Sequence, residues 1–462
     1  MSESLLVRVM SIEIENFKNV SNGLFSMPKT NDKDEFSQDA DIAGIYGQNG
    51  SGKTSVIQTL SLFKNIASGN SLWADMEKVI SANKEECTFK IKLAIQKSEN
   101  EKYKVTYGCT ISKKEEKAVF SSEKLNVSKM LEDGSWVKDK PYFECSYNDA
   151  LQVFTPKNQY DELVSKNRDK IIELSVAYKM AQETNKSFLF SKEFSDILKQ
   201  SPQNELGIII SIIKKYVMQK LFIILTSHSG GISLNMFMPL AFILKNQNSL
   251  SVGDIPIDLQ NPTILPKAAF EMIETVISNM NCVLDALVPG LSVGFINYGE
   301  QLQENGTGGI RFELVSKRDG LQFPLRYESE GIKKIISILN VLIVMFNDPS
   351  VCVAIDELDS GVFELLLGKL LSVIEESGKG QLIFTSHNLR PLEVLNKNSI
   401  IFSSANDKNR YIKLSNIKPT NNLRDCYLRA LSLEGENEPL AVEIKESTIR
   451  RCLRKAGCHV EE

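Results

Sequence analysis

Gly47-Gln48-Asn49-Gly50-Ser51-Gly52-Lys53-Thr54 follows the apolar run Asp41 to Tyr46 and precedes SVIQTLSLFKNIA, whose apolar residues recur at helical spacing. Strand, glycine-rich turn and helix, in that order, make the setting of a phosphate-binding loop. The glycines let backbone N–H groups wrap phosphate oxygens, and the helix start adds its own unpaired N–H groups. Lys53 then reaches the outer phosphates and Thr54 offers a hydroxyl to Mg2+. Gly47, Asn49, Gly50, Ser51, Gly52, Lys53 and Thr54 are the expected nucleotide-binding residues.

Three further motifs lie in the last third of the chain. VCVAIDE, Val351 to Glu357, is a continuous apolar run typical of a central parallel strand covered on both faces, and it ends in two adjacent carboxylates. One acid suits a metal shell and the other suits the attacking water, so Asp356 is the expected metal ligand and Glu357 the catalytic residue. QLIFTSH repeats the apolar pattern, and VFELLLGKLLSVIEE between the two strands makes a crossover helix. Ser386-His387-Asn388 closes the second strand, where an imidazole at the carboxyl end of a parallel sheet can reach a terminal phosphate. His387 therefore joins Glu357 as a catalytic candidate. Glu328-Ser329-Glu330-Gly331 precedes a helix predicted from about Gly331 to Phe346. On local grounds Ser329 is an N-cap or part of an anion site, since both use a hydroxyl and free N–H groups at a helix start.

Outside these motifs, VRVMSIEIENFKNV, Val7 to Val20, alternates like a strand with one buried face, and residues 87–148 hold several short alternating runs that predict an antiparallel meander. Helical patterns dominate from Gln159 to Leu244. The apolar region Leu206 to Leu225 is interrupted by Lys214, Lys215 and Lys220, which predicts a buried or half-buried helix and excludes a bilayer span. An amphipathic helix follows at Lys267 to Leu287, then a strand at GLSVGFINYG, then RFELV and LQFPL joined across Asp319-Gly320, a hairpin dipeptide. The expected fold class is α/β, a mixed sheet with flanking helices plus an antiparallel β meander and an inserted helical lobe. The expected parts are residues 1–150 with the glycine loop and meander, 151–310 as the helical insert, 311–420 with the later motifs, and 421–462 as a helical tail.

Composition sets bounds. The chain has 462 residues, 42% hydrophobic and 24% charged, which is ordinary globular content. Fifty-four Lys plus Arg against 58 Asp plus Glu give a net charge of -4, so no global basic field binds nucleic acid, and any DNA contact would need a local patch. Eight scattered cysteines have no zinc spacing and read as reduced thiols. The opening MSESLLVRVMSIEIENF lacks the pattern of a signal peptide, so a cytoplasmic protein with no membrane partner is expected.

The four motifs, in this order, resemble the ABC-type ATPases of the RecF, SMC and OLD group over roughly residues 7–60 and 310–405. IEIENFKNV looks like the group's opening strand, GQNGSGKT like its Walker A loop, YESEGIKKIISIL like a divergent signature, AIDELDSG like Walker B and TSHN like the H-loop. The resemblance implies ATP and Mg2+ as cofactors and a homodimer or higher homo-oligomer in which two heads sandwich two ATPs. Ser329 and Gly331 would then bind the phosphate held by the other head. Two positions depart from the pattern: Glu330 replaces a glycine, and Phe363 stands where many members carry the D-loop aspartate. About sixty residues follow the H-loop strand, without the spaced Glu and Asp-x-Asp set of a Toprim nuclease, so nuclease activity in this chain is not expected. The chain also resembles ATPase subunits of bacterial anti-phage systems such as PARIS and Septu, which implies a regulatory ATPase controlling a separate effector nuclease. The alternative is a DNA-binding repair ATPase of RecF type.

Overall fold

The computed structural model describes residues 5–147, 153–164, 167–201, 203–245, 250–302, 306, 308–414, 422–432, 440 and 446–457. The opening alternation is two strands and not one: β1 (Leu6–Phe17) turns at Lys18 and Asn19 into its antiparallel neighbour β2 (Val20–Ser26). Asn16 and Lys18 take left-handed backbone there, and the turn falls where the polar pair Lys18-Asn19 interrupts the alternation. After the short helix α1 (Pro28–Asn31), β3 (Asp41–Tyr46) leads through the glycine loop into α2 (Lys53–Ala67). The meander is formed by β4 (Glu86–Gln96), β5 (Lys102–Lys114), β6 (Lys117–Lys129) and β7 (Lys140–Ser146). It extends the first two strands into one antiparallel sheet, ordered β2-β1-β4-β5-β6-β7.

Residues 151–310 carry the expected helices α3 (Lys157–Val164), α4 (Arg168–Glu183), α5 (Lys192–Lys199) and α6 (Glu205–Gln219). They also carry strands. The apolar region read as one helix to Leu225 is α6 followed by β8 (Leu221–Ile224), which pairs in parallel with a later strand. Next come α7 (Thr226–Ser233), the hairpin of β9 (Phe237–Lys245) and β10 (Leu250–Asp258), β11 (Thr263–Pro266) and α8 (Lys267–Leu287), the last with the bounds its periodicity predicts. β12 (Ser292–Leu302) pairs with β13 (Gly308–Arg318), which crosses position 310 and turns at Asp319-Gly320 into β14 (Leu321–Pro324). Both turn residues have positive φ, as a two-residue hairpin loop requires.

The motif-bearing part follows the expected order: α9 (Glu330–Asn347), β15 (Cys352–Ile355), α10 (Glu364–Ser377) and β16 (Gln381–Thr385). α11 (Pro391–Val394), β17 (Ile400–Ser403), β18 (Tyr411–Ile412), α12 (Leu423–Ser432) and α13 (Glu446–Gly457) complete it. The central sheet runs β18-β17-β3-β16-β15-β8, parallel except for β18. Its side chains alternate between two cores. Ala43, Ile45, Cys352 and Ala354 join α2, the meander and the insert helices, whereas Ile42, Tyr46, Val353 and Ile355 join α8, α9 and α10. Burial on both faces is why these strands read as unbroken apolar runs. The carboxyl ends of β3, β16, β15 and β8 consequently share one sheet edge, the place where parallel α/β sheets receive ligands.

The meander is tied to the insert by Glu123, which is fully buried. Its carboxyl accepts hydrogen bonds from Tyr107 (2.7 Å), Tyr147 (2.5 Å), the Ser187 hydroxyl (2.5 Å) and the Phe188 N–H (2.9 Å). Among the described residues no helix is long and apolar enough to cross a membrane, and the seven described cysteines are free thiols.

Candidate functional site

The glycine loop is pinned from behind by side chains distant in sequence. Gly47 lies so close to β17 that a Cβ there would sit 2.1 Å from Ser403 Oγ, so this position admits no side chain. The Ser51 and Ser403 hydroxyls are hydrogen-bonded, Asn19 donates to the Gly50 carbonyl, and Tyr411 donates to the Gly52 carbonyl at 2.7 Å. Gly52 caps α2 in left-handed backbone at φ +89°, which a side chain would strain. Asn49 and Gly50 are left at the exposed tip, above buried Ser51, Gly52 and Lys53. The Lys53 ammonium donates to the Gly47 (2.9 Å) and Gln48 (3.0 Å) carbonyls, so the loop curls around its own lysine. Burial lowers the Lys53 pKa, while Asp356, Glu357 and Asp359 oppose that shift.

Asp356, just past β15, is buried and meets the loop directly: Thr54 Oγ1 donates to Asp356 Oδ1 at 3.1 Å across 302 positions of sequence. Two other threonines also hold the carboxylate, Thr385 on Oδ1 (2.7 Å) and Thr226 on Oδ2 (2.5 Å). Glu357 follows with φ +51°, unusual for a residue with a side chain and typical of sites that store backbone strain. Its backbone is held at both ends, the N–H donating to Thr385 Oγ1 at 2.7 Å and the carbonyl accepting from the Lys334 ammonium. The Glu357 side chain remains half-exposed.

His387, two residues past β16, is exposed, and its backbone N–H and that of Asn388 both donate to Asp359 Oδ2, at 3.1 and 2.9 Å. The loop after β15 thus positions the turn after β16. Ser329 and Gly331 join this region through α9 and not through the glycine loop. Ser329 is the exposed N-cap, accepting from the Ile332 N–H at a long 3.4 Å. Gly331 packs backbone to backbone against Gly361, where a Cβ would stand 1.9 Å from the carbonyl oxygen. One turn further, Lys334 is buried beside Asp359, Glu357 and Asp356, and burial pushes its pKa down to about 8 against their attraction. Glu330 and Phe363, the two departures from the family pattern, are both exposed beside these residues.

The structure therefore gathers Lys53, Thr54, Asp356, Glu357 and His387 along one sheet edge, with Ser329 and Gly331 at the start of the helix that supports it. Sequence reasoning passed over Thr226, Lys334, Thr385 and Asp359. Thr385 and Asp359 stand inside the motifs already singled out. Thr226 carried one signal: Thr226-Ser227-His228 repeats the tripeptide Thr385-Ser386-His387.

No protein-family model matches the sequence, and no curated protein matches it. Among solved structures, the chain is similar to the SMC head domain from Thermotoga maritima, with 13% identity and a TM-score of 0.37 over 88% of this chain and 99% of that one. It is similar to the Smc head domain with an extended coiled coil bound to the C-terminal domain of ScpA, derived from Pyrococcus furiosus, with 14% identity and a TM-score of 0.39 over 89% and 97%. It is also similar to the recombination mediator protein RecF in its ATPrS-bound structure, with 13% identity and a TM-score of 0.36 over 84% and 95%. All three scores lie below 0.5, and the functional reading rests on the chain's own side chains.

Proposed function

We propose that this chain binds ATP with Mg2+ and hydrolyses it, as an ABC-type head of the RecF/SMC kind whose two copies close around two nucleotides. The observation that carries this reading is the 3.1 Å approach of Thr54 to Asp356 beside Lys53, which joins the phosphate loop to the acid pair. Mg2+ takes oxygen ligands and usually keeps waters and substrate phosphates in its shell. A threonine hydroxyl and one carboxylate fit that donor set, and among the described residues no cluster of three His, Cys, Asp or Glu offers a self-sufficient metal cage. Bound there by Thr54 and Asp356, the ion would neutralise charge on the phosphates.

The protein's own groups divide the remaining work. Backbone N–H groups of residues 50–54 wrap the phosphates, and the Lys53 ammonium leaves its loop carbonyls for the outer phosphate oxygens. The Glu357 carboxylate orients a water and accepts its proton as the oxygen attacks. His387 faces the terminal phosphate from the end of β16. The exposed Ser329 hydroxyl and the N–H groups at the start of α9 serve the nucleotide of the second head.

The biological setting proposed with this chemistry is a regulatory ATPase that controls a separate effector, with residues 151–310 as the partner surface. This part rests on analogy with single-domain ATPases of anti-phage systems and not on a particular residue. The DNA-binding, RecF-type alternative is favoured by one feature, the exposed helix α13 with Arg450, Arg451, Arg454 and Lys455. Co-purification from the native host separates the two, since a bound protein supports the first and bound DNA that is lost at high salt supports the second.

The chemistry is tested with Lys53→Ala and Glu357→Gln. Lys53→Ala loses nucleotide affinity. Glu357→Gln keeps it while turnover falls by about 10²- to 10⁴-fold, the range contributed by a positioned base. Wild-type affinity in the first variant, or wild-type phosphate release in the second, overturns the assignment.

A further inference from the structure

β16 and β8 lie on either side of β15, and both run into Thr-Ser-His, at 385–387 and 226–228. The three strands are in parallel register, with Ile355 opposite Phe384 on one side and Ile224 on the other. The Asp356 N–H continues the β8 ladder by donating to the Ile224 carbonyl at 2.9 Å. The two threonines then close on the same carboxylate from opposite sides. Thr385 takes Oδ1 at 2.7 Å and Thr226 takes Oδ2 at 2.5 Å, and Oδ1 also faces Thr54. A carboxylate on two bonds can rotate, and a hydroxyl on each oxygen, from strands fixed in one sheet, removes that freedom.

We infer that Thr226 is a positioning residue of the nucleotide site: by holding Asp356 Oδ2 it keeps Oδ1 turned toward Thr54 and the metal position. The inference rests on the ATP and Mg2+ reading given above and adds to it a residue contributed by the span between the meander and α8. Thr226 starts α7 after the single residue Leu225 that follows β8, and β8 follows α6 of the insert. The orientation of the metal-binding carboxylate thereby depends on where the insert sets β8. Supporting groups of this kind typically alter metal affinity by about 10- to 100-fold when removed.

The test uses the full-length chain, a fluorescent ATP analogue and titrated MgCl2. Thr226→Val keeps the shape of the side chain and removes the hydroxyl. The Mg2+ concentration for half-maximal binding should rise about tenfold or more, while analogue affinity in EDTA stays within about twofold of wild type. Thr226→Ser, which restores the hydroxyl, should return the Mg2+ requirement to near the wild-type value. A purely structural role predicts a lowered melting temperature with an unchanged Mg2+ requirement, and that result overturns the inference. So does a serine variant that behaves like the valine one. If Thr226→Val does not fold, Thr226→Ala takes its place against Thr226→Ser with the same criteria. Failure of the wild-type chain to bind the analogue with or without Mg2+ overturns the nucleotide reading and this inference together, whereas wild-type binding with no Thr226 effect overturns this inference alone.

Discussion

Glu123 and Asp356 are both buried carboxyl groups surrounded by hydroxyl donors, yet the two clusters are built for different ends. Glu123 lies where the meander meets the insert, and its partners Tyr107, Tyr147, Ser187 and Phe188 are themselves buried. That network is closed. Asp356 takes three threonine hydroxyls at a sheet edge, and its neighbours Thr54, Glu357 and His387 are partly or fully open to solvent. A closed network ties elements together, whereas an open one leaves side chains whose further partners come from outside the chain. The difference predicts which measurement each cluster moves.

The largest effect on folding is expected at Glu123. Glu123→Ala leaves the Tyr107, Tyr147 and Ser187 hydroxyls without their carboxylate acceptor in a buried core, while the Phe188 N–H keeps the Tyr147 oxygen at 2.7 Å. At about 1–3 kcal/mol for each buried group left unpaired, the loss is about 3 kcal/mol or more. It should appear as a lower denaturant midpoint at constant slope, with analogue binding by the folded protein unchanged. A midpoint equal to wild type would break the comparison, because the network would then contribute nothing to the fold.

Glu123→Gln sharpens the same point through pH. Burial raises the Glu123 pKa above its ordinary value of 4.5, and hydrogen bonds from Ser187, Tyr147 and Tyr107 only partly oppose that. Between 4.5 and the raised value the unfolded chain has released this proton and the folded chain still holds it. Fewer protons bound in the unfolded state mean that stability falls as pH rises through this window. Glutamine has no such proton, so the difference in stability between Glu123→Gln and wild type should shift in favour of the variant as pH rises from about 4.5. Asp41, also raised by burial, is present in both proteins and cancels in the difference. Parallel pH profiles of the two proteins would show that Glu123 does not titrate in this way.

The legible part of this chain was the part whose signal is local. The glycine loop, the strand at Cys352–Ile355 and the crossover helix after it combine turn chemistry with apolar runs, and their order gives the parallel sheet. β8 was hidden because an isoleucine-rich stretch from Leu206 fits a buried helix as well as a buried strand, and periodicity alone does not divide it at Lys220. With β8 hidden, Thr226 had no reason to stand beside Asp356, 130 positions away. Asp359 was hidden differently. It is two residues beyond the acid pair, and its partners, the N–H groups of His387 and Asn388, are assigned by the turn geometry and not by any residue type. The turn within the opening run was passed over for a third reason: apolar Phe17 and Val20 flank it, and the two-residue turn Lys18-Asn19 lacks the glycine that usually marks a hairpin.

Ser329 is where the comparison is hardest to decide, and the expected effect on folding is the smallest. Its hydroxyl accepts from Ile332 at 3.4 Å and it is exposed, so it belongs to the closed class if it is a cap and to the open class if it serves a second head. Loss of an N-cap side chain costs about 0.5–2 kcal/mol, and a bond this long puts Ser329→Ala at about 0.5 kcal/mol. A cap alone therefore predicts a slightly lower melting temperature and unchanged ATP turnover per folded protein. The trans role predicts the same small change in melting with a much larger loss of turnover. Mixing separates the two outcomes further. Ser329→Arg blocks the place where a partner's phosphate docks, and Lys53→Ala empties its own loop, so each variant alone should be inactive. Their mixed dimer keeps one composite site, built from the loop of the serine variant and the α9 start of the lysine variant, and phosphate release should return in part on mixing. If both variants fold, mixed dimers form and no activity returns, single-turnover measurement decides the cause. Analogue binding that depends on the partner's intact Ser329 means two coupled sites, and binding indifferent to it returns Ser329 to the closed class as a helix cap.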